Sequence, residues 1–191
     1  LVSDMTQTML TGLTLKAPRL GNARGDFSCD RVPSLEDALR AIDGRLIALL
    51  NTHTHRLDLI AALIERLNLY DSVLIIVSDS TLVGILRSEH PRVNIAFNVD
   101  SQSHFDEFLS QEPGHRPQVI LAPASEVGAM NSLIHEVGAK SMIDAIGLDI
   151  VASISHDLQG YRDAYESGID LIQTEYPQLV MESLGRWRPS D

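Results

Sequence analysis

From Pro33 onward, short runs of β-branched and aliphatic residues alternate with amphipathic stretches, and no other feature constrains the fold of this chain as strongly. A strand that is apolar at successive positions is buried on both faces, and a helix between two such strands supplies the crossover that a parallel pair needs. The alternation predicts repeated βα units around a parallel sheet. "SLEDALRAI" is a helix that opens on Ser34 with Asp37 three positions on, a capping box, and Gly44 ends it. "RLIALLN" reads as the first strand, "LDLIAALIERLNL" as a helix and "SVLIIVS" as the second strand. "STLVGILRSEH" is a helix stopped by Pro91, "VNIAFNV" a third strand, and "SHFDEFLSQ" a helix opened by a Ser103/Asp106 box. "QVILAPA" is the fourth strand and "SEVGAMNSLIHEVGA" a helix, while "KSMIDAIG" fits either more helix or a stray strand. "DIVASIS" reads as the fifth strand, "LQGYRDAYESG" as a helix closed by Gly168, and "IDLIQT" as the sixth. The last helix, "PQLVMESLGRW", starts on Pro177, where a missing amide proton costs nothing.

Six such units fit either an open doubly wound sheet or most of a β/α barrel, which needs eight strands. Residues 1–32, with "GNARGDFSCD", read as an irregular lead-in to a single domain covering 1–191. No glycine-rich loop follows the first strand, which argues against a nucleotide fold. The net charge of −11, with arginines scattered along the chain, excludes a nucleic-acid footprint. No apolar run approaches the roughly 20 residues of a membrane span, and no leader opens the chain. Because the first residue is Leu1, the sequence is expected to start inside a longer product. A soluble protein follows, either cytoplasmic or exported after loss of a leader, with the compartment undecided. The lone Cys29 makes no intramolecular disulfide, rules out multi-cysteine metal sites and reads as a passive thiol.

The closing segment "YESGIDLIQTEYPQLVMESL" is similar to the last strand and helix of the glycerophosphodiester phosphodiesterase family, where a glycine, an aspartate, an apolar strand and Thr-Asp-Tyr-Pro recur in order. Gly168, Asp170, Thr174, Tyr176 and Pro177 match, with Glu175 in place of the aspartate. "VPSLEDALRAIDGRLIALLN" resembles the family's Pro-Thr-Leu-Glu-Glu helix and third barrel strand, and "IVSDSTLVGILRSEHP" the next strand, helix and proline. The resemblance implies an α/β fold of the TIM-type β/α barrel class, with the six strands as the third to the eighth. It also implies an active site at the carboxyl ends of the strands, hydrolysing a small phosphodiester of lipid metabolism to an alcohol and glycerol phosphate. Family members hold one divalent cation, Mg²⁺ or Ca²⁺, on three carboxylates and use two histidines, the metal neutralising phosphate charge while imidazole moves protons near neutral pH.

Several positions depart from that pattern. Nothing in residues 1–32 matches the family's His-Arg-Gly and Glu-x-Asp motifs. In "VSDMTQTM", Ser3 stands in the place of a catalytic histidine and Asp4 in that of its aspartate. Where the family has Asn-x-Glu-x-Lys, this chain has Asn51-Thr52-His53-Thr54-His55, and period-two alternation puts Asn51, His53 and His55 on one face. Imidazole in place of a carboxylate suits Zn²⁺ better than Mg²⁺ or Ca²⁺. A divergent centre would combine His53 and His55 with His156, after "IVASIS", and Glu175, all expected at strand ends. His55 then takes a catalytic role, Asn51 a substrate-binding one, and Ser153 replaces a substrate-packing tryptophan.

Two other readings stand beside the hydrolase. One is an amidohydrolase-like metal hydrolase taking its His-x-His from His53 and His55, although no further ligands follow "IIVS" or "IAFNV". The other is a barrel that has lost catalysis and serves binding or assembly. Six strands cannot close a barrel, so either further amino-terminal strands or a second copy of the chain must cover the open edges. His90, His104, His115 and His135 receive no role, and Trp187 reads as an anchor for the last helix.

Overall fold

The structure, a computed structural model, describes residues 4–13, 31–42, 44–111 and 116–186. Ser3, Cys29, His115 and Trp187 lie outside the described residues. The chain divides into two compact units, Leu1–Ala48 and Leu49–Asp191.

In the first unit, α1 (Gln7–Thr11) is capped by the Thr6 hydroxyl, which accepts from the Met9 amide. Helix α2 (Leu35–Ile42) opens on the expected capping box. The Asp37 amide donates to Ser34 Oγ at 3.1 Å, and that hydroxyl donates to the Asp37 carboxylate at 2.6 Å. Gly44, at φ +68°, follows its end.

Along the rest of the chain β1 (Ala48–Asn51), α3 (Leu57–Leu67), β2 (Val73–Val77), α4 (Ser80–Glu89), β3 (Asn94–Asn98) and α5 (Gln102–Gln111) alternate. They are followed by β4 (Val119–Ala122), α6 (Val127–Glu136), β5 (Lys140–Asp144), α7 (Ile146–Ser155), α8 (Gln159–Glu166), β6 (Leu171–Gln173) and α9 (Pro177–Ser183). The six strands lie side by side in chain order, and β2 through β6 pair in parallel. Strict sequential order is that of a TIM-type barrel, since a doubly wound sheet reverses direction at a switch point. The chain thus carries six consecutive strands of a β/α barrel.

Alternation along each strand makes two apolar layers. Ile76, Ala96, Val119, Leu121 and Met142 form one cluster, joined by Leu49 and Leu74. Ile75, Ile95, Phe97, Ile120 and Ile143, of the opposite parity in register, are fully buried. Phe97 meets Phe108 of α5 with ring centroids 4.2 Å apart. In α3 the buried positions Leu57, Ala61 and Ile64 follow helical spacing, and Asn68 ends the helix in the left-handed region at φ 54°.

Two expectations are corrected. The fifth strand is Lys140–Asp144, not "DIVASIS", which forms α7. The β-branched Ile150, Val151 and Ile154 suggested a strand, but Ile146, Ile150 and Ile154 recur every four residues and the stretch winds as a helix. Helix α5 is capped two residues earlier than its proposed box: the Ser101 hydroxyl, not Ser103, accepts from the His104 amide at 3.2 Å.

The motif residues Gly168 and Asp170 lie before β6, at the amino end of the sheet, where a barrel is stabilised. Gly168 has φ +83°, and a Cβ there would stand 3.1 Å from Asn131 Nδ2, which itself donates to the Ser167 and Gly168 carbonyls at 3.1 Å. Gly168→Ala combines a disfavoured φ with that close approach and is expected to cost about 1–3 kcal/mol. Urea unfolding checks it: an unchanged midpoint contradicts the assignment.

Candidate functional site

Because the strands are parallel and in register, their last residues converge at one end of the sheet. Within the second unit they surround a cavity of about 470 Å³. Asn51 ends β1 and contributes with Thr52 and His53; Ser78 follows β2; Asn98, the last residue of β3, is followed into the wall by Val99 and Asp100. Ala122 and Pro123 come from the end of β4, Asp144 from β5 and Gln173 from β6, while Ile76 and Leu121 of the inner apolar cluster also line it. An amide donor of Asn98 reaches Ser78 Oγ at 3.3 Å, tying the tips of neighbouring strands. Asp144 accepts the Ile146 amide at 3.0 Å, which fixes its carboxylate at the start of α7.

The cavity is polar and asymmetric in charge. Among the described residues that line it, His53 is the one side chain able to carry positive charge, whereas Asp100 and Asp144 are acidic. Among the lining residues the remaining polar groups are neutral: Asn51, Thr52, Ser78, Asn98 and Gln173. The Gln173 Oε1 is buried without a hydrogen-bond partner.

The structure brings only part of the expected set together. Asn51 and His53 line the cavity. β1 stops at Asn51, so strand alternation does not extend to His55, which is exposed ahead of α3 and does not line the cavity. Asp4 is exposed just before α1, in the first unit. With "DIVASIS" helical, Ser153 sits exposed on α7 with its hydroxyl donating to the Ile150 carbonyl at 3.0 Å. His156 is not at a strand end but caps that helix at φ 54°, its Nε2 lying 3.2 Å from the Glu182 carboxylate of α9. Glu175 follows β6 with its side chain exposed and does not line the cavity. Among the described residues, no three His, Cys, Asp or Glu side chains group so as to hold a metal ion.

Sequence reading missed Ser78, Asn98, Asp100, Asp144 and Gln173. For Ser78, Asn98 and Gln173 the signal was present, since each ends or follows a strand that the alternation identifies. Asp144 was hidden behind the misassigned fifth strand.

Behind the β6 tip sits a carboxylate with no exposure to the cavity. Asp149 of α7 is 2% exposed and accepts from the Tyr161 hydroxyl at 2.6 Å, the Thr174 hydroxyl at 2.7 Å and the Glu175 amide at 2.7 Å. Burial, reinforced by the hydrogen bond to Asp149, pushes the Tyr161 phenol up to about 12. This network fixes the turn after β6, where the Thr174 hydroxyl also accepts the Tyr176 amide at 2.9 Å, and Pro177 then starts α9.

Neither a family model nor a curated protein sequence matches the chain. Solved structures do. A glycerophosphoryl diester phosphodiesterase from Parabacteroides distasonis superposes with a TM-score of 0.74 at 24% identity, over 100% of this chain and 66% of its own. A glycerophosphodiester phosphodiesterase from the same organism gives 0.63 at 15%, over 94% and 71% respectively. One from Agrobacterium tumefaciens gives 0.59 at 15%, over 81% and 63%. The chain therefore has the fold of these enzymes and spans about two thirds of their length. Among the described residues, no helix is long and apolar enough to cross a membrane.

Proposed function

We propose that the chain is a divergent barrel of the glycerophosphodiester phosphodiesterase type, and that the cavity at its strand tips binds a small phosphodiester. The observation that carries this reading is the convergence of Asn51, His53, Ser78 and Asn98 on one cavity at the carboxyl ends of parallel strands. Donors of this kind suit phosphate oxygens, and a protonated imidazole adds a charge-assisted bond. Asp100 and Asp144 repel an anion, so the phosphate sits toward the β1 tip. The alcohol lies toward β5 and β6, where Asp144 and Gln173 accept from hydroxyl groups.

The enzymes that share the fold are named for hydrolysis, and the resemblance implies a Mg²⁺ or Ca²⁺ ion held by three carboxylates. The described residues do not fit such an ion: they gather no three ligands, and His53 occupies the position of a carboxylate. No catalytic step is assigned through a metal, whether Mg²⁺, Ca²⁺ or Zn²⁺. The reading is one of recognition, with the hydrolytic centre reduced, and Ser3, Asp4 and His55 take no catalytic step in it.

Calorimetric titration with glycerophosphocholine tests this. Binding is expected, and His53→Ala weakens it about ten- to hundredfold, the worth of a charge-assisted hydrogen bond. Affinity unaffected by His53→Ala refutes the placement. Phosphorus NMR of the same mixtures with Mg²⁺, Ca²⁺ or Zn²⁺ distinguishes the hydrolase: steady conversion to glycerol phosphate overturns the reduced centre.

A further inference from the structure

The strand-tip end of the second unit is acidic well beyond the cavity wall. A carboxylate ends or follows each strand from β2 to β6: Asp79, Asp100, Glu126, Asp144 and Glu175. Arg56 lies at the same end, but Asp58 holds its guanidinium at 2.8 Å. Two of the five carboxylates, Asp100 and Asp144, line the cavity itself, against the imidazole of His53. Asp144 Oδ1 accepts the Ile146 amide, which orients the carboxylate without neutralising it. Asp100 is partly engaged, its Oδ1 accepting from the Ser101 hydroxyl at 3.0 Å and lying 3.2 Å from His104 Nδ1. The register of the sheet sets Asp144 beside Gln173, whose Oε1 is buried without a hydrogen-bond partner among the described residues. The β5–β6 side of the cavity is thus rich in acceptors and in negative charge.

A phosphodiester is an anion, and on its own it enters such a field at a cost, in a chain whose net charge is already −11. His53 answers the phosphate on the β1 side, which leaves the two carboxylates without a counter-charge. A ligand that carries its own cation removes the conflict. We propose that the alcohol of the bound phosphodiester bears a primary ammonium group, and that Asp144 is the residue that selects it. This rests on the phosphodiester reading of the cavity and names the ligand class within it. A quaternary ammonium would meet the charge but has no N–H for the acceptors. Such groups are held by aromatic faces, and among the described residues that line the cavity none is Phe, Tyr or Trp. An uncharged polyol would meet the acceptors and leave the charge of the phosphate unbalanced. A primary ammonium does both, with three N–H donors to share among Asp144, Gln173 and Asp100.

The test compares glycerophosphoethanolamine, glycerophosphocholine and glycerophosphoglycerol by calorimetry on the same protein in EDTA. Glycerophosphoethanolamine is expected to bind about three- to tenfold more tightly than either of the others, the worth of one solvated charge-assisted hydrogen bond. Asp144→Asn keeps an acceptor oxygen for the Ile146 amide and removes the charge. It is expected to erase the preference, weakening glycerophosphoethanolamine about three- to tenfold while strengthening the anionic glycerophosphoglycerol. A loosened wall would weaken both ligands, so movement in opposite directions reads charge selection alone. Asp144 is exposed, and the variant is expected to keep its melting temperature. Parity of glycerophosphoethanolamine with either other ligand, or a preference that Asp144→Asn retains, overturns the inference while the cavity reading stands. Binding of none of the three overturns both. If the protein binds Mg²⁺ alone, and Mg²⁺ in place of EDTA brings glycerophosphoglycerol to parity, the carboxylates belong to a metal ion and the ammonium is refuted.

Discussion

Asp149→Ala is expected to lower the stability of the protein by about 3–5 kcal/mol, the largest effect of any single substitution considered. Three donors converge on this carboxylate, two hydroxyls and a backbone amide, and all lose their acceptor at once in a part-buried setting. The loss extends beyond the hydrogen bonds. Asp149 joins α7, α8 through Tyr161 and the turn after β6 through Thr174 and Glu175, so its removal uncouples three segments that meet behind the cavity. Asp149→Asn keeps one acceptor oxygen but points an N–H at a donor, and is expected to cost about 1–3 kcal/mol. Guanidinium unfolding measures both. A loss below about 1 kcal/mol for the alanine variant would show that the network is not a structural anchor.

Asp170→Asn is expected to lose about 2–3 kcal/mol at neutral pH, by a different route. Burial alone would raise this carboxyl. The hydrogen bonds from Lys140 at 2.7 Å and from the Ser141 amide at 2.9 Å, with His135 Nε2 at 2.8 Å, outweigh it and hold the group well below the usual carboxylate range. A carboxyl with a depressed folded value stabilises the fold fully above its unfolded value of about 3.9. As the pH falls below that, the unfolded chain takes up its proton first, and the contribution is lost on the way down to the folded value. The gap between wild type and Asp170→Asn is therefore widest near pH 7 and narrows below about pH 4. Denaturation at a series of pH values checks it; a gap of constant size would show that the carboxylate's charge plays no part.

These two aspartates show what the sequence makes legible. The glycine, aspartate and threonine around β6 are among the residues that carry the family resemblance, and each of these three holds the scaffold together: Gly168 by its backbone, Asp170 by anchoring β5 and α6, Thr174 by bonding Asp149. The sheet was readable because apolar runs buried on both faces have no other stable home. The fifth strand was not, because "KSMID" is short and mixed, whereas the isoleucines of α7 carry high strand propensity into a helix that tertiary packing decides. That error displaced the expected site, sending His156 and Ser153 to a helix and concealing Asp144. His55 was misplaced for a simpler reason: alternation holds only as long as the strand does, and β1 ends four residues earlier. Asp149 left no local signal, since its partners lie 12 to 26 residues away.

Glycerophosphocholine added to isotopically labelled protein tests the cavity most directly, read by nuclear magnetic resonance of the histidine rings and side-chain amides. The ring of His53 and the amides of Asn51 and Asn98 are predicted to shift together and saturate along one binding curve, while the rings of His90 and His135 stay in place. Shifts absent from His53, or confined to residues remote from the strand tips, would contradict the assignment.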